Sequence, residues 1–125
     1  MNRARMEIHC DEAALNGISG KGVGIAVLDT GIYIHEDLKG KILGFKDFVH
    51  GKKLPYDDNG HGTHVSAMIA GSGAASGGIF KGIAPGSRIL GIKSAGQERK
   101  WICSRCANGA SLDKGTQKAN MEYVL

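Results

Sequence analysis

Gly24-Ile25-Ala26-Val27-Leu28-Asp29-Thr30-Gly31 decides how the rest of the chain reads. A short, nearly continuous apolar run bounded by glycine suits a strand buried on both faces, as in a parallel sheet. Asp29 follows the run at once, and so stands at the carboxyl end of that strand, where the sites of open α/β sheets collect. On position alone, the commoner role of such an aspartate is to cap the turn that follows.

Outward from this strand, Ile42 to Phe48 alternates well enough for a second strand. Lys52 to Gly60 is a polar turn region carrying Pro55 and Asp57-Asp58-Asn59-Gly60. His61 to Ala70 contains no breaker after Gly62 and reads as a helix with Gly71 at its C′ position. A loose small-residue loop runs from Gly71 to Gly78, and Arg88 to Lys93 reads as a third strand after Pro85-Gly86. Before the first strand, a helical turn is expected around Glu12–Leu15. Strand, strand, helix, strand joined by glycine-rich turns gives an α/β layered domain.

The chain has 125 residues, one domain or part of one, and a net charge of +4 spread without a cluster. Its hydrophobic share of 42% excludes a disordered tail, and no apolar run approaches the roughly 20 residues that span a bilayer. The scattered charge is read as a solvated surface, so neither nucleic acid nor membrane is an expected partner. Glycine is the outlier. Of 20 glycines, 18 lie between Gly17 and Gly96 and two from Gln97 onward. The boundaries expected are a lead-in over 1–20, the α/β portion over 21–93, and a stretch of different style over 94–125.

His61-Gly62-Thr63-His64 places an imidazole at a helix start, with Gly62 leaving room for another backbone or a substrate. His64, one turn in, is expected to be a satisfied core histidine. Zinc would need a third ligand and usually a glutamate in the first motif, and the residues between the pair are Gly and Thr.

Together these segments resemble the subtilisin-like serine proteases, the subtilase family. The resemblance rests on Ile25 through Ile32 continuing to His35-Glu36-Asp37-Leu38, on Asp58 through Val65, and on Gly82-Ile83-Ala84-Pro85-Gly86 leading to Ile89–Lys93. It covers about residues 17–93, with the Asp segment before the His segment as in the family's Asp, His, Ser chain order, which subtilisin itself shows. It implies a three-layer, mostly parallel sheet of which only the N-terminal strands are present. It also implies a serine endopeptidase acting on peptide or protein substrates. Asp29 would then orient an imidazole, and His61 would be general base toward a serine hydroxyl and general acid toward the leaving amine. Asp37 stands where many relatives place a calcium ligand, with a solvated turn aspartate as the equal alternative. No cofactor is expected for the chemistry.

The family's nucleophile segment and oxyanion asparagine have no counterpart here. Ser94, Ser104 and Ser111 lack the required context. Loss of the nucleophile costs about 10⁶-fold in subtilisin itself, so the chain is expected to be a truncated or frameshifted fragment that is inactive alone. Beyond about Ser94 the sequence reads as an out-of-frame translation. Codons can be chosen for Ala95 to Lys114 that, read one base later, spell a Gly-punctuated turn followed by Val, Leu, Leu and Trp-Ile at helical spacing.

Two rivals remain at this level. Asp29-Thr30-Gly31 is also the triplet of aspartic proteases, although the helix-like His61–Ala70 segment does not belong in that mostly β fold. Cys103 and Cys106 form one C-x-x-C, half of a zinc-binding module, with Cys10 as the third cysteine and no histidine after His64. Three cysteines and no leader pattern suggest a cytoplasmic protein, or a secreted one if an N-terminal segment precedes Met1.

Overall fold

Strand β1 (Gly24–Asp29) is the buried strand around which the sheet is built. A computed structural model of the chain describes residues 2–96 and the strand 121–124. Ile25 and Val27 lie in the core while Ala26 is fully buried, so the apolar run is covered on both faces. The other strands are β2 (Ile42–Asp47), β3 (Arg88–Lys93) and β4 (Met121–Val124). All pairings are parallel and the order is β2-β3-β1-β4. Of the strands expected, β3 has the bounds read from sequence, and β1 and β2 differ by one residue at their C-terminal ends. β4 falls in the stretch of different style and covers the outer edge of β1 over Gly24–Val27.

Register fixes what gathers at the carboxyl edge. Asp29 of β1 and Asp47 of β2 both pair with Lys93 of β3. Three charged residues therefore end three adjacent strands in one row.

Helix α3 (His61–Ala70) has the bounds its composition gave and packs on the sheet. Gly62, Ser66 and Ala70, four residues apart, are buried, and Val65 and Ile69 pack against the core of Ile25, Val27, Ile32, Leu38 and Ile89. That same periodicity turns His64 outward with Met68, so His64 is exposed rather than the core histidine expected. Gly71 also departs from its expected left-handed C′ geometry: its φ is −55° and ψ 132°. Its lack of a side chain matters sterically instead, because a Cβ there would sit 2.5 Å from the Ala67 carbonyl oxygen.

The Gly82–Gly86 turn closes the end of this helix. Ile83 N–H donates to the Met68 carbonyl (2.9 Å) and Ala84 N–H to that of Ile69 (2.8 Å), satisfying carbonyls that a helix end leaves without partners. Lys41 donates its ammonium to the Pro85 carbonyl.

The lead-in forms two short helices, α1 (Asn2–Glu7) and α2 (Cys10–Leu15), of which only the second was expected. They are held by Arg5, which is 7% exposed and donates to the Gly82 carbonyl and, at 2.6 Å, to Asp11 Oδ1. No helix among the described residues is long and apolar enough to cross a membrane.

Candidate active site

The end of β1 and the start of α3 face one another. Gly62 makes this possible: a Cβ there would meet the Gly31 carbonyl oxygen at 2.2 Å and Asp29 Cβ at 3.1 Å. Gly31 meets the same kind of crowding, with φ 131° and the Tyr56 carbonyl oxygen 2.1 Å from where its Cβ would be. Two glycines thus let the helix N-terminus sit directly on the turn after β1.

At that junction His61 Nδ1 lies 2.8 Å from Asp29 Oδ1 and 2.9 Å from Oδ2. One ring N–H is shared by both carboxylate oxygens, which sets the ring's orientation and its tautomer. Asp29 Oδ1 also accepts the N–H of Thr30 at 2.7 Å. The aspartate side chain is 9% exposed and the imidazole 43%. The carboxylate is therefore sunk in the sheet end, while the ring reaches a position that a second reactant can approach. Asp29 and His61 lie close together at one sheet edge, as the reading of the two motifs required.

A second aspartate builds the loop that delivers His61. Asp57 Oδ1 accepts from Thr30 Oγ1 (2.8 Å), Asn59 N–H (3.1 Å) and Gly60 N–H (2.8 Å). Its Oδ2 accepts from Thr63 N–H (2.9 Å) and Thr63 Oγ1 (2.6 Å). Partial burial alone would raise this carboxyl, but the Thr63 hydroxyl, the Gly60 and Thr63 amides and the Thr30 hydroxyl outweigh it and hold the pKa at about 2. Thr30 Oγ1 accepts Gly62 N–H at 3.0 Å, closing the circuit between β1 and α3.

Asp47 does similar work at the end of β2. It accepts the amides of Val49, His50 and Lys52 and the Tyr56 hydroxyl (2.8 Å). Burial opposes ionisation, yet the His50 amide, the Tyr56 hydroxyl and the other amides lower its pKa. Tyr56, half-buried and facing Asp47 and Asp58, has its own pKa raised by that partial burial and by its hydrogen bond to Asp47.

Asp57, Thr30 and Lys93 carry no role that sequence reasoning identified. An Asp-x-x-Gly turn ahead of a helix was the available signal for Asp57, and a lysine ending an apolar strand was the signal for Lys93. Asp37 is placed away from the Asp29–His61 junction. Its Oδ1 accepts the Ala75 N–H (2.8 Å) and its carbonyl accepts the Ser72 N–H (3.0 Å), which anchors the loop after α3. Among the described residues no three of His, Cys, Asp and Glu form a group that could hold a metal ion. The Ala75 amide occupies Asp37 Oδ1, and no step is routed through a metal at this position. Of the described serines, Ser66 and Ser94 are buried with hydroxyls lacking partners, and none bonds to His61. Ser104, Ser111, Cys103 and Cys106 lie outside the described residues.

The sequence profile of the subtilase family matches residues 20–109. Serine protease AprX of Bacillus subtilis (strain 168) is 53% identical over 87 residues, covering 68% of this chain and 20% of that protein. Subtilisin BL of Lederbergia lenta is 41% identical over 107 residues, covering 84% of this chain and 38% of its own. A crystal structure of a cold adapted subtilisin-like serine proteinase superposes with a TM-score of 0.59 at 33% identity, over 70% of this chain and 30% of that one. The chain thus spans between a fifth and two fifths of the length of these relatives. With the matching profile covering most of its length, and the parallel sheet carrying Asp29 and His61 at its edge, the chain belongs to the subtilase family of serine proteases.

Proposed function

We propose that this chain carries the acid–base half of a subtilisin-type serine endopeptidase. The observation that carries the reading is the Nδ1 contact of His61 to both oxygens of a nearly buried Asp29. In this role Asp29 holds the ring so that Nε2 faces the reaction and stabilises the imidazolium that forms. His61 takes the proton of a serine hydroxyl as that oxygen attacks a peptide carbonyl, then returns it to the departing amine nitrogen. The buried site of Asp29 keeps water from competing for the Nδ1–H, and the exposed ring leaves Nε2 open to both partners. The substrate is a peptide or protein.

The serine belongs to sequence of a kind that residues 1–96 do not contain. By itself the 125-residue chain is expected to hydrolyse no peptide. Joining residues 1–93 to the downstream portion of the AprX catalytic domain is expected to yield a peptidase sensitive to serine-directed inhibitors. His61→Ala and Asp29→Ala should each reduce its turnover by about 10⁴-fold or more. Inhibitor-sensitive turnover by the 125-residue chain, or a joined enzyme indifferent to His61→Ala, would refute the proposal.

The aspartic-protease reading of Asp29-Thr30-Gly31 has no support in a sheet whose strands are all parallel and whose edge is occupied by a helix N-terminus.

A further inference from the structure

The C-terminal residue of β3 is the largest fully buried side chain in the described protein, and it is a lysine. Lys93 is 0% exposed. An ammonium group taken out of water is costly unless each of its donors finds a partner. Here they do. Lys93 Nζ donates to the Thr30 carbonyl, pairs with Asp58 Oδ1 at 2.6 Å, and lies 4.9 Å from the centre of the Tyr56 ring. The charged and titratable groups around it are thus Asp58, and Tyr56 with Asp47 behind it.

The two strong partners sit on different arms of the Asp29–His61 pair. Thr30 is the residue after Asp29, and the peptide groups on either side of its Cα are both held: its N–H donates to Asp29 Oδ1 and its carbonyl accepts from Lys93. Asp58 is three residues before His61, in the loop that leads into α3. The Asp58 side chain is only 33% exposed and turns inward to meet the lysine. An apolar residue would fill the end of β3 without the cost of burying a charge, as Ile89 does nearer its start. What the lysine adds is a bond to each arm.

We propose that Lys93 is a positioning residue for the Asp29–His61 pair, its buried ammonium tying the strand end that carries Asp29 to the loop that delivers His61. The inference rests on the reading of Asp29 and His61 as a working pair. It goes beyond that reading by assigning the pair's geometry to a side chain that bonds to neither of them.

The test is the far-downfield proton resonance of His61 Nδ1–H in the full 125-residue chain, recorded in the cold. It is assigned by its absence in His61→Gln and its upfield move in Asp29→Asn. In Lys93→Met the resonance is expected to move upfield or broaden away, with solvent exchange at least tenfold faster. Arg5→Met, which removes another buried cation remote from the pair, is expected to leave it in place. A lysine that only supported the fold would behave as Arg5 does, and an unchanged resonance in Lys93→Met would overturn the proposal. If Lys93→Met does not fold, Asp58→Asn, which keeps the lysine and its bond to Thr30, decides in the same way: a moved resonance supports the tie and an unmoved one overturns it. Failure of the pair itself reads differently, since the resonance would then be missing from the unsubstituted chain.

Discussion

Adding one methyl group at Gly62 should separate Asp29 from His61. A Cβ at residue 62 would stand 2.2 Å from the Gly31 carbonyl oxygen and 3.0 Å from the Gly31 amide nitrogen. Both are backbone atoms of a turn already pressed against Tyr56, so neither can yield as a flexible side chain would. Real Cβ atoms essentially never approach within 3.0 Å, so the helix start must retreat by at least 0.8 Å. His61 is the adjacent residue and moves with it. Its 2.8 Å contact to Asp29 then stretches to about 3.6 Å, which is no longer a hydrogen bond. Overpacking of this kind costs about 1–3 kcal/mol. The intrinsic preference of a helix for Ala over Gly works the other way by at most about 1 kcal/mol. Gly62→Ala is therefore expected to be destabilising by about 1–2 kcal/mol in urea unfolding. In the joined AprX enzyme it should lower kcat by about 10²-fold, the scale of a misplacement near 1 Å. Gly96→Ala is the control, because the nearest atom to its added Cβ is Val49 Cγ1 at 4.0 Å, and it should stay within about 0.5 kcal/mol. A Gly62→Ala chain as stable as the parent or more so, with unchanged activity when joined, would refute the close-approach argument.

Asp57 should make the fold acid-sensitive in a defined window. Its carboxyl is held at about 2 in the folded chain against an ordinary value of 3.8. Its stabilisation is therefore complete above about pH 4 and is lost as pH falls through about 2. The shift corresponds to at most about 2 kcal/mol, reduced to about 1 kcal/mol by solvent access. Urea unfolding from pH 5 to 2 should show a loss that is smaller in Asp57→Asn, and identical pH slopes would contradict the assignment. Ile89→Ala, at a fully buried position in the core between β1 and β2, should cost about 2–5 kcal/mol in the same assay. His64→Ala, on the exposed side of α3, should stay within about 0.5 kcal/mol; a large loss would mean that the ring is packed. Codons of the gene for Ala95–Lys114 should admit the shifted reading, and incompatible codons would end the out-of-frame account.

Much of the scaffold was legible because its signals are local. The Ile25–Leu28 run, the Arg88–Lys93 run and the breaker-free His61–Ala70 segment are each bounded by glycine, proline or a polar turn, and each became the element it resembled. Asp29 and His61 stand out in sequence because one ends an apolar strand and the other starts a helix, and the fold brings them together. What escaped depends on packing across the fold. Helix α1 has no apolar periodicity and is held by Arg5 reaching Gly82, 77 residues away. Lys93 reads as an ordinary polar strand end until Thr30 and Asp58 are brought to it from 63 and 35 residues away. His64 is exposed rather than in the core because its place on the helix circumference depends on which face meets the sheet, and that face is set by Gly62, Ser66 and Ala70. The glycine at 71 was recognised, but its reason is a carbonyl oxygen rather than a left-handed turn.

The most direct test of the account is the rate at which a phosphonylating inhibitor labels the serine of the joined AprX enzyme, measured with and without His61. The reagent reports on activation of the hydroxyl alone, free of substrate binding and product release. With Asp29 and His61 as the acid–base pair, His61→Ala should slow labelling by about 10⁴-fold or more, with Asp29→Ala close behind. Labelling at an undiminished rate in His61→Ala would show that these two residues, however well placed, do not perform the chemistry assigned to them.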